Sequence, residues 1–424
     1  MHEQAHNLAE AVARNSRAKL VAFLAAGSGD LAAAEDALSD AFATALSLWP
    51  AEGCPANPEA WLLTVARRRL IDHLRRQREI PSSDDLEQLA ELSDFAGAGA
   101  APAEDDLPDR RLALLFACTH PAIDPVVRAP LMLQVVLGLE AAQIASSFLV
   151  SPAAMAQRLV RAKTKIRDAR IPFRVPNRSE LPDRLDAVLD SIYACYSEGW
   201  AEAAGTDVAR RELAGEAIFL GRLLVELLPN EPEVWGLLAL MLYAEARRPA
   251  RRRADGEFVP FTQQDRRLWD QGMIDEADSA LRRASSGETI GRLLIGRFQL
   301  EAAIQSAHVE GARTGSAPWS SIVGLYDALV QLTGSPVASI NRALALAEVQ
   351  GTGAALKSLD GVSADPRIHS YQPYWAVRAN LLARTGLNDQ ARHAYEIAIG
   401  LERDPVVRRY LEQVRDALPG GLAS

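Results

Sequence analysis

Cysteine is scarce: Cys54, Cys118 and Cys195 are the only three in 424 residues. They are too widely spaced for a disulfide framework, and no CxxC pair or Cys/His cluster offers a structural zinc site. No apolar run approaches the roughly 20 residues of a membrane-spanning helix, and the N-terminus lacks the basic, apolar, small-residue order of a signal peptide. A soluble cytoplasmic protein with no membrane role is expected. Glycine-rich phosphate loops are missing as well. Cys118 and His120 stand two apart in a helical stretch, the other histidines are isolated, and no nucleophile has a base beside it. The chain is therefore not expected to be an enzyme or to hold a metal or cofactor. Aromatic residues make up 6% of the chain and β-branched alternation is rare, whereas alanine and leucine abound, so the expected fold class is all-α, in two to four domains. A formal net charge of −9 excludes a protein that coats nucleic acid indiscriminately. What matters is where the cations are concentrated.

One concentration follows Ser151, an N-cap, and Pro152, whose missing N–H costs nothing in a first helical turn. Met155, Leu159, Ala162 and Ile166 recur at helical spacing as one buried stripe, and Gln157, Arg158, Arg161 and Lys165 fall opposite. Ahead of them, Ile144, Ala145 and Phe148 give another helix an apolar side, and Phe148-Leu149-Val150 is a sharp connection. This is the layout of a helix-turn-helix, whose second helix enters the major groove. Gln157 and Arg158 suit base edges, which their side chains can pair bidentately, and Arg161 and Lys165 suit phosphates. The alternative is an ordinary amphipathic helix with a solvated basic side.

A second concentration follows Asn57-Pro58, again an N-cap and a first-turn proline. Leu62, Val65, Ala66, Leu70, His73 and Leu74 form the packed side of this helix; Thr64, Arg68, Asp72 and Arg75 lie opposite, with Arg67 and Arg76 at the flanks. Trp61 either stacks on an unpaired base or fills the core or its rim. Upstream, residues 8–48 read as two helices broken at Gly27-Ser28-Gly29, the second capped by Asp30 and carrying Glu35, Asp36 and Asp40 near one another on an acidic side. That side reads equally as solvated surface. Between the two basic helices, residues 79–109 hold many acids around an Ala/Gly/Pro stretch and no Lys or Arg, a linker composition. Two more helices follow, the second opened by Asp124-Pro125 and closed by Gly138. Two basic modules on an acidic tether are harder to explain as solvated surfaces than either alone.

More than half of the chain lies beyond Arg170, and its local pieces are helical. Trp375, Gly386, Ala391, Tyr395 and Ala398 match the offsets of a tetratricopeptide helix pair, with Pro405 slightly late, and Trp235 after Pro229-Asn230-Glu231-Pro232 suggests a degenerate earlier copy. Such repeats stack into a curved surface that could take a peptide, a protein or a small molecule. A basic run at 247–253 leads into an interruption at 254–270, where Asp255-Gly256 reads as a turn before an apolar piece and QQDRRLWD. Arg266 with Asp265 or Asp270 reads as a functional group or as an ion pair pinning a loop.

Three stretches, AEDALSDAF at 34–42, NPEAWLLTVARRRLIDHLRR at 57–76 and FLVSPAAMAQRLVRAKTKI at 148–166, make residues 8–170 resemble a bacterial RNA polymerase sigma factor of the extracytoplasmic-function group. The resemblance implies that Glu35, Asp36 and Asp40 lie on or beside the helix that docks on core RNA polymerase. It implies that the loop at 50–57 and the helix at 61–76, with Thr64, Arg67, Arg68, Arg75 and Arg76, engage and melt the minus-10 element. The helix of Gln157, Arg158, Arg161 and Lys165 would read minus-35. Ala154 and Ala156 depart from the commoner polar residues there, implying fewer direct base contacts. The remainder resembles a subgroup with a C-terminal tetratricopeptide-like extension, in which a DG…DQDR..WD segment is typical; here Asp255, Gly256, Gln264, Asp265, Arg266, Arg267, Trp269 and Asp270 keep most of it. The implied organisation is sigma region 2 at 1–78, a flexible acidic linker at 79–108, region 4 at 109–171 and a regulatory extension acting in cis at 172–424. The implied partners are core RNA polymerase and promoter DNA. The alternative is a stand-alone helix-turn-helix regulator with a repeat-built sensor domain, which would bind duplex DNA without polymerase.

Overall fold

The computed structural model describes residues 2–77, 110–148, 150–177, 179–200, 208–253, 256–286, 295–402 and 404–419. The linker expected at 79–108 lies outside them, as do Leu149 and Asp255. The described residues form eighteen α-helices and a few short 3-10 turns, and their β-pairing is limited to an isolated antiparallel bridge between Arg252 and Phe258. No described helix is long and apolar enough to cross a membrane. The chain divides into two compact units, residues 1–200 with 209–217, and residues 201–208 with 218–424.

The first unit opens with α1 (His2–Ser28), α2 (Leu31–Glu52) and α3 (Pro58–Gln77), which pack on one another. Their ends fall where the caps predict. Asp30 Oδ1 accepts from Ala33 N at 3.1 Å, and Asn57 Oδ1 accepts from Ala60 N at 3.0 Å, each satisfying a donor that the first helical turn leaves free. Leu31, Ala34, Leu38, Ala41 and Ala45 of α2 and Leu62, Ala66 and Leu70 of α3 are buried between them. Next come α4 (Arg111–Cys118), α5 (Pro125–Leu137), α6 (Ala141–Ser147), α7 (Pro152–Asp168) and α8 (Leu181–Trp200). Asp124 caps α5, and Gly138 ends it at φ 74°, a left-handed conformation that suits glycine. α1 packs against α4 and α5, and α2 against α7.

This unit runs past the boundary expected at 171. The reason lies in α8, where Arg184 donates from a guanidinium nitrogen to the Phe116 carbonyl at 2.5 Å and stands 5.9 Å over the Phe116 ring. α8 also packs on α4 and α5, so residues expected to open the extension pack into the core of the first unit.

The division between units falls within α9 (Val208–Leu227). The second unit continues with α10 (Pro232–Glu245), α11 (Gln271–Ser285), α12 (Arg297–Thr314), α13 (Trp319–Thr333), α14 (Pro336–Gln350), α15 (Thr352–Val362), α16 (Gln372–Arg384), α17 (Asn388–Leu401) and α18 (Pro405–Asp416). α10 packs against α11 and α12, and from α12 onward each helix packs against the next. At the α10–α12 crossing, Glu233 accepts from the backbone N–H groups of Phe298 (3.0 Å) and Gln299 (2.9 Å), a carboxylate capping the start of a neighbouring helix. Trp235 and Trp375 share one arrangement. Each is the fourth residue of a helix that carries proline in its first turn, and each indole N–H donates to a carbonyl six residues earlier, Pro229 at 2.8 Å and His369 at 2.9 Å. Ala391, Tyr395 and Ala398 are buried, and Pro405 opens α18.

Candidate nucleic-acid interface

α7 has two unlike faces. Met155, Leu159, Ala162 and Ile166 are buried as their spacing predicts, and Ser151 Oγ accepts from Ala154 N at 3.3 Å to cap the helix. Gln157, Arg161 and Lys165 are exposed and Arg158 is half-buried. Arg158, Arg161 and Lys165 line one wall of a groove of about 540 Å³, whose other wall is the start of α5, with Asp124 and the 67% exposed Val126. Three cations thus line an open surface between α7 and the start of α5, a placement suited to nucleic-acid phosphates and base edges.

α3 presents a smaller cationic surface than its sequence suggested. Arg68 is exposed, and so is Arg69, which its spacing puts on the packed side, about 40° from Val65. Thr64 is half-buried and donates its hydroxyl to the Ala60 carbonyl at 2.8 Å. Arg67 is 4% exposed, with its guanidinium 5.0 Å over the Phe23 ring, and burial lowers its pKa. Expected among the DNA contacts, it is instead packed between α1 and α3. The side chains of Arg75 and Arg76 lie outside the described residues. Trp61 meets the buried Trp49 edge to face at 5.5 Å between centroids, which places it at the rim of the core.

The acidic side of α2 also divides. Asp36 and Asp40 are exposed, but Glu35 is buried. Its carboxylate lies 2.5 Å from Lys163 Nζ of α7 and 3.2 Å from a guanidinium nitrogen of Arg17 of α1. One residue is about 100° of helical turn, enough to swing Glu35 away from Asp36 and toward α7. Close by, Cys118 is fully buried, and desolvation with the Glu35 charge holds its thiol protonated. It is a packing group, and His120 Nδ1 is occupied in accepting from Ala122 N at 3.1 Å.

In the second unit residues 256–270 of the DG…QQDRRLWD stretch form a turn followed by two short 3-10 turns. Gly256 turns at φ 86°, and residues 251–253 pair with 257–259 through Val259 N to Arg251 O (2.8 Å) and Arg253 N to Glu257 O (2.9 Å). The ion pair expected of Arg266 is made by its neighbour: Arg267 meets Asp265 at 2.8 Å, and Asp270 caps α11 by accepting from Met273 N at 3.0 Å. A side chain two residues along reaches back over the 3-10 turn that Asp265 caps, whereas Arg266 points outward and is exposed. Gln264 donates to the Val259 carbonyl at 3.4 Å. Trp269 stacks on Phe261 at 6.0 Å; Phe261 lies under the Arg247 guanidinium at 4.9 Å and against His308 at 5.6 Å, and His308 meets Trp319 at 5.8 Å. Burial and the nearby Arg247 charge push His308 down to about 4. No sequence signal joins residues 261, 308 and 319, which have no common motif or period.

Residues 12–80, which span α1 to α3, match the Sigma-70 region 2 family, and residues 184–285 match a family of unknown function (DUF6596). An uncharacterized protein of Rhizobium meliloti (strain 1021) is 38% identical over 394 residues, covering 91% of this chain and 90% of that protein. No solved structure matches the chain. Sigma-70 region 2 is a non-enzymatic module of transcription initiation and implies binding to RNA polymerase and to the minus-10 element. The chain belongs to the family of the Rhizobium meliloti protein and carries a sigma-70 region 2 domain at its N-terminus, the mark of a sigma factor.

Proposed function

We propose that the chain is an extracytoplasmic-function sigma factor that binds core RNA polymerase in the cytoplasm and directs promoter-specific initiation. In this reading α3 engages minus-10, α6 and α7 are a helix-turn-helix reading minus-35, and the second unit is a tetratricopeptide-like extension acting in cis. One observation carries it: α7 turns Gln157, Arg161 and Lys165 outward over a buried stripe, in the same compact unit as the region 2 helices. Region 2 supplies cationic support for an opened strand, and α7 supplies a helix shaped for a groove; an initiation factor needs both. The matching Trp235 and Trp375 arrangements support a repeat origin for the extension. Its curved surface is the place for a peptide, protein or small-molecule ligand.

Of the three acids expected to dock polymerase, Asp36 and Asp40 are exposed. Transcription reconstituted with core polymerase tests the reading: the wild type starts transcripts at a defined promoter, and Asp36→Lys with Asp40→Lys abolishes them together with co-elution of the two proteins. If instead the purified chain footprints the promoter tightly with no polymerase present, a stand-alone regulator replaces this reading.

A further inference from the structure

We propose that residues 251–270 are a releasable strap, which ties the last helix, α18, back to the junction of α10 and α11 and lets go of it as a local step while the other helices of the second unit stay folded. The strap is anchored where α10 gives way to α11: Asp270 N donates to the Ala246 carbonyl at 2.9 Å, and the Asp270 carboxylate caps α11. At its other end the left-handed turn at Gly256 folds the chain back, with Arg252 bridged to Phe258. That turn aims Arg252. One of its guanidinium nitrogens donates to the Gly256 carbonyl at 3.2 Å and another to Asp404 Oδ2 at 2.7 Å, 152 residues along the chain. Phe258 meets Tyr410 of α18 edge to face at 5.5 Å between centroids. Asp404 Oδ1 accepts from Val406 N at 2.8 Å, so one carboxylate caps α18 and receives the strap. From α12 onward the helices pack neighbour on neighbour, and the curvature of such an array accumulates from a small rotation at each step. A tie between its ends fixes that curvature.

Burial makes release local. Of the described α18 residues only Leu411 is buried, whereas α17 buries Ala391, Ala394, Tyr395 and Ala398, so little apolar area holds α18 in place. The charged tie therefore carries much of the attachment. Arg252 and Asp404 are withdrawn from solvent, with side-chain exposures of 22% and 12%, and salt screens such a pair less than a surface one. Shutting the strap also has a cost: Gln264 Oε1 and Trp269 Nε1 are buried without a hydrogen-bond partner, and opening returns both to water. A thinly buried end helix and a strap holding two unpaired polar atoms set the shut and open forms close in free energy. The DG…QQDRRLWD stretch thus has a mechanical role, in which Gly256 aims the tie and Asp270 holds the fixed end.

Native-state hydrogen exchange of the full chain, read by mass spectrometry, tests the strap. Asp404→Asn keeps a side-chain oxygen to cap α18 and removes the charge that holds Arg252, and Arg252→Met keeps an apolar stem and removes the charge at the other end. Each should speed exchange of the α18 amides and of residues 251–259 about tenfold while exchange in α10, α11 and α12 stays as in wild type. The double variant should be no faster than either single, because both remove the same tie. Gly256→Ala, driven from its φ of 86°, should give the same pattern through a turn that no longer aims Arg252, and Arg409→Met, at an exposed position of α18, should leave exchange as in wild type. Unchanged α18 exchange in Asp404→Asn and Arg252→Met overturns the strap. So does acceleration spread evenly over the second unit, which would make release global, and so do additive effects in the double variant.

Discussion

Gly236 sits where α10 crosses the start of α12, and replacing it by alanine tests whether that crossing supports the second unit. A Cβ there would stand 2.6 Å from Gln299 N, 2.9 Å from Phe298 C and 3.0 Å from Gln299 Cα. All three atoms are backbone, so no side-chain rotation relieves the contact, and α12 must withdraw by roughly 0.8 Å to restore ordinary packing. The Glu233 bonds to Phe298 N and Gln299 N, now 3.0 and 2.9 Å, then stretch beyond useful length. Overpacking costs about 1–3 kcal/mol, and each bond to a charged acceptor is worth about 1.5–3 kcal/mol, against a helix-propensity gain of about 1 kcal/mol for glycine to alanine. Strain and bond loss are alternatives over part of the movement, so the net expectation for Gly236→Ala is a loss of about 2–5 kcal/mol. Gly324, within α13, has nothing within 4 Å of its Cβ position, and Gly324→Ala should instead stabilise by up to about 1 kcal/mol. Urea unfolding followed by near-ultraviolet circular dichroism compares the two. Equal midpoints for Gly236→Ala and Gly324→Ala would refute the argument, because propensity alone would then account for both.

Two further outcomes follow from the same geometry. His308 is held neutral, down from 6.5 to about 4, so the unfolded chain takes up a proton first as pH falls; the second unit keeps its full stability above about pH 6.5 and loses about 3 kcal/mol on approaching pH 4. His308→Gln should flatten that part of the pH dependence in urea titrations, and an unchanged slope would mean that another group governs it. At the proposed minus-35 face, Arg158→Ala should weaken binding of the polymerase complex to its preferred sequence by about 1–3 kcal/mol, roughly 5- to 150-fold, whereas Lys165→Ala should weaken all sequences alike and lower the salt slope by about one.

The part of this fold legible in the sequence is the part that neighbouring residues decide. Asp30, Asn57, Asp124 and Ser151 each mark a helix start because a cap bonds two or three residues along the same chain, and all four do so. The stripe from Met155 to Ile166 is buried because the helical period alone aligns it. Glu35 and Arg67 turned inward for a reason no local pattern contains. Both sit beside an apolar stripe rather than opposite it, and their surroundings come from other elements, Arg17 and Lys163 for the first and Phe23 for the second. A charged side chain at such a flank is long enough to reach either water or a neighbour, and the tertiary contact decides. On α7, Gln157 lies opposite the stripe, while Arg161 and Lys165 leave it on the flank away from Lys163 and stay exposed. Which flank of the apolar stripe a cation occupies, and whether another element packs there, therefore separates the cations available to DNA from those spent on holding the unit together.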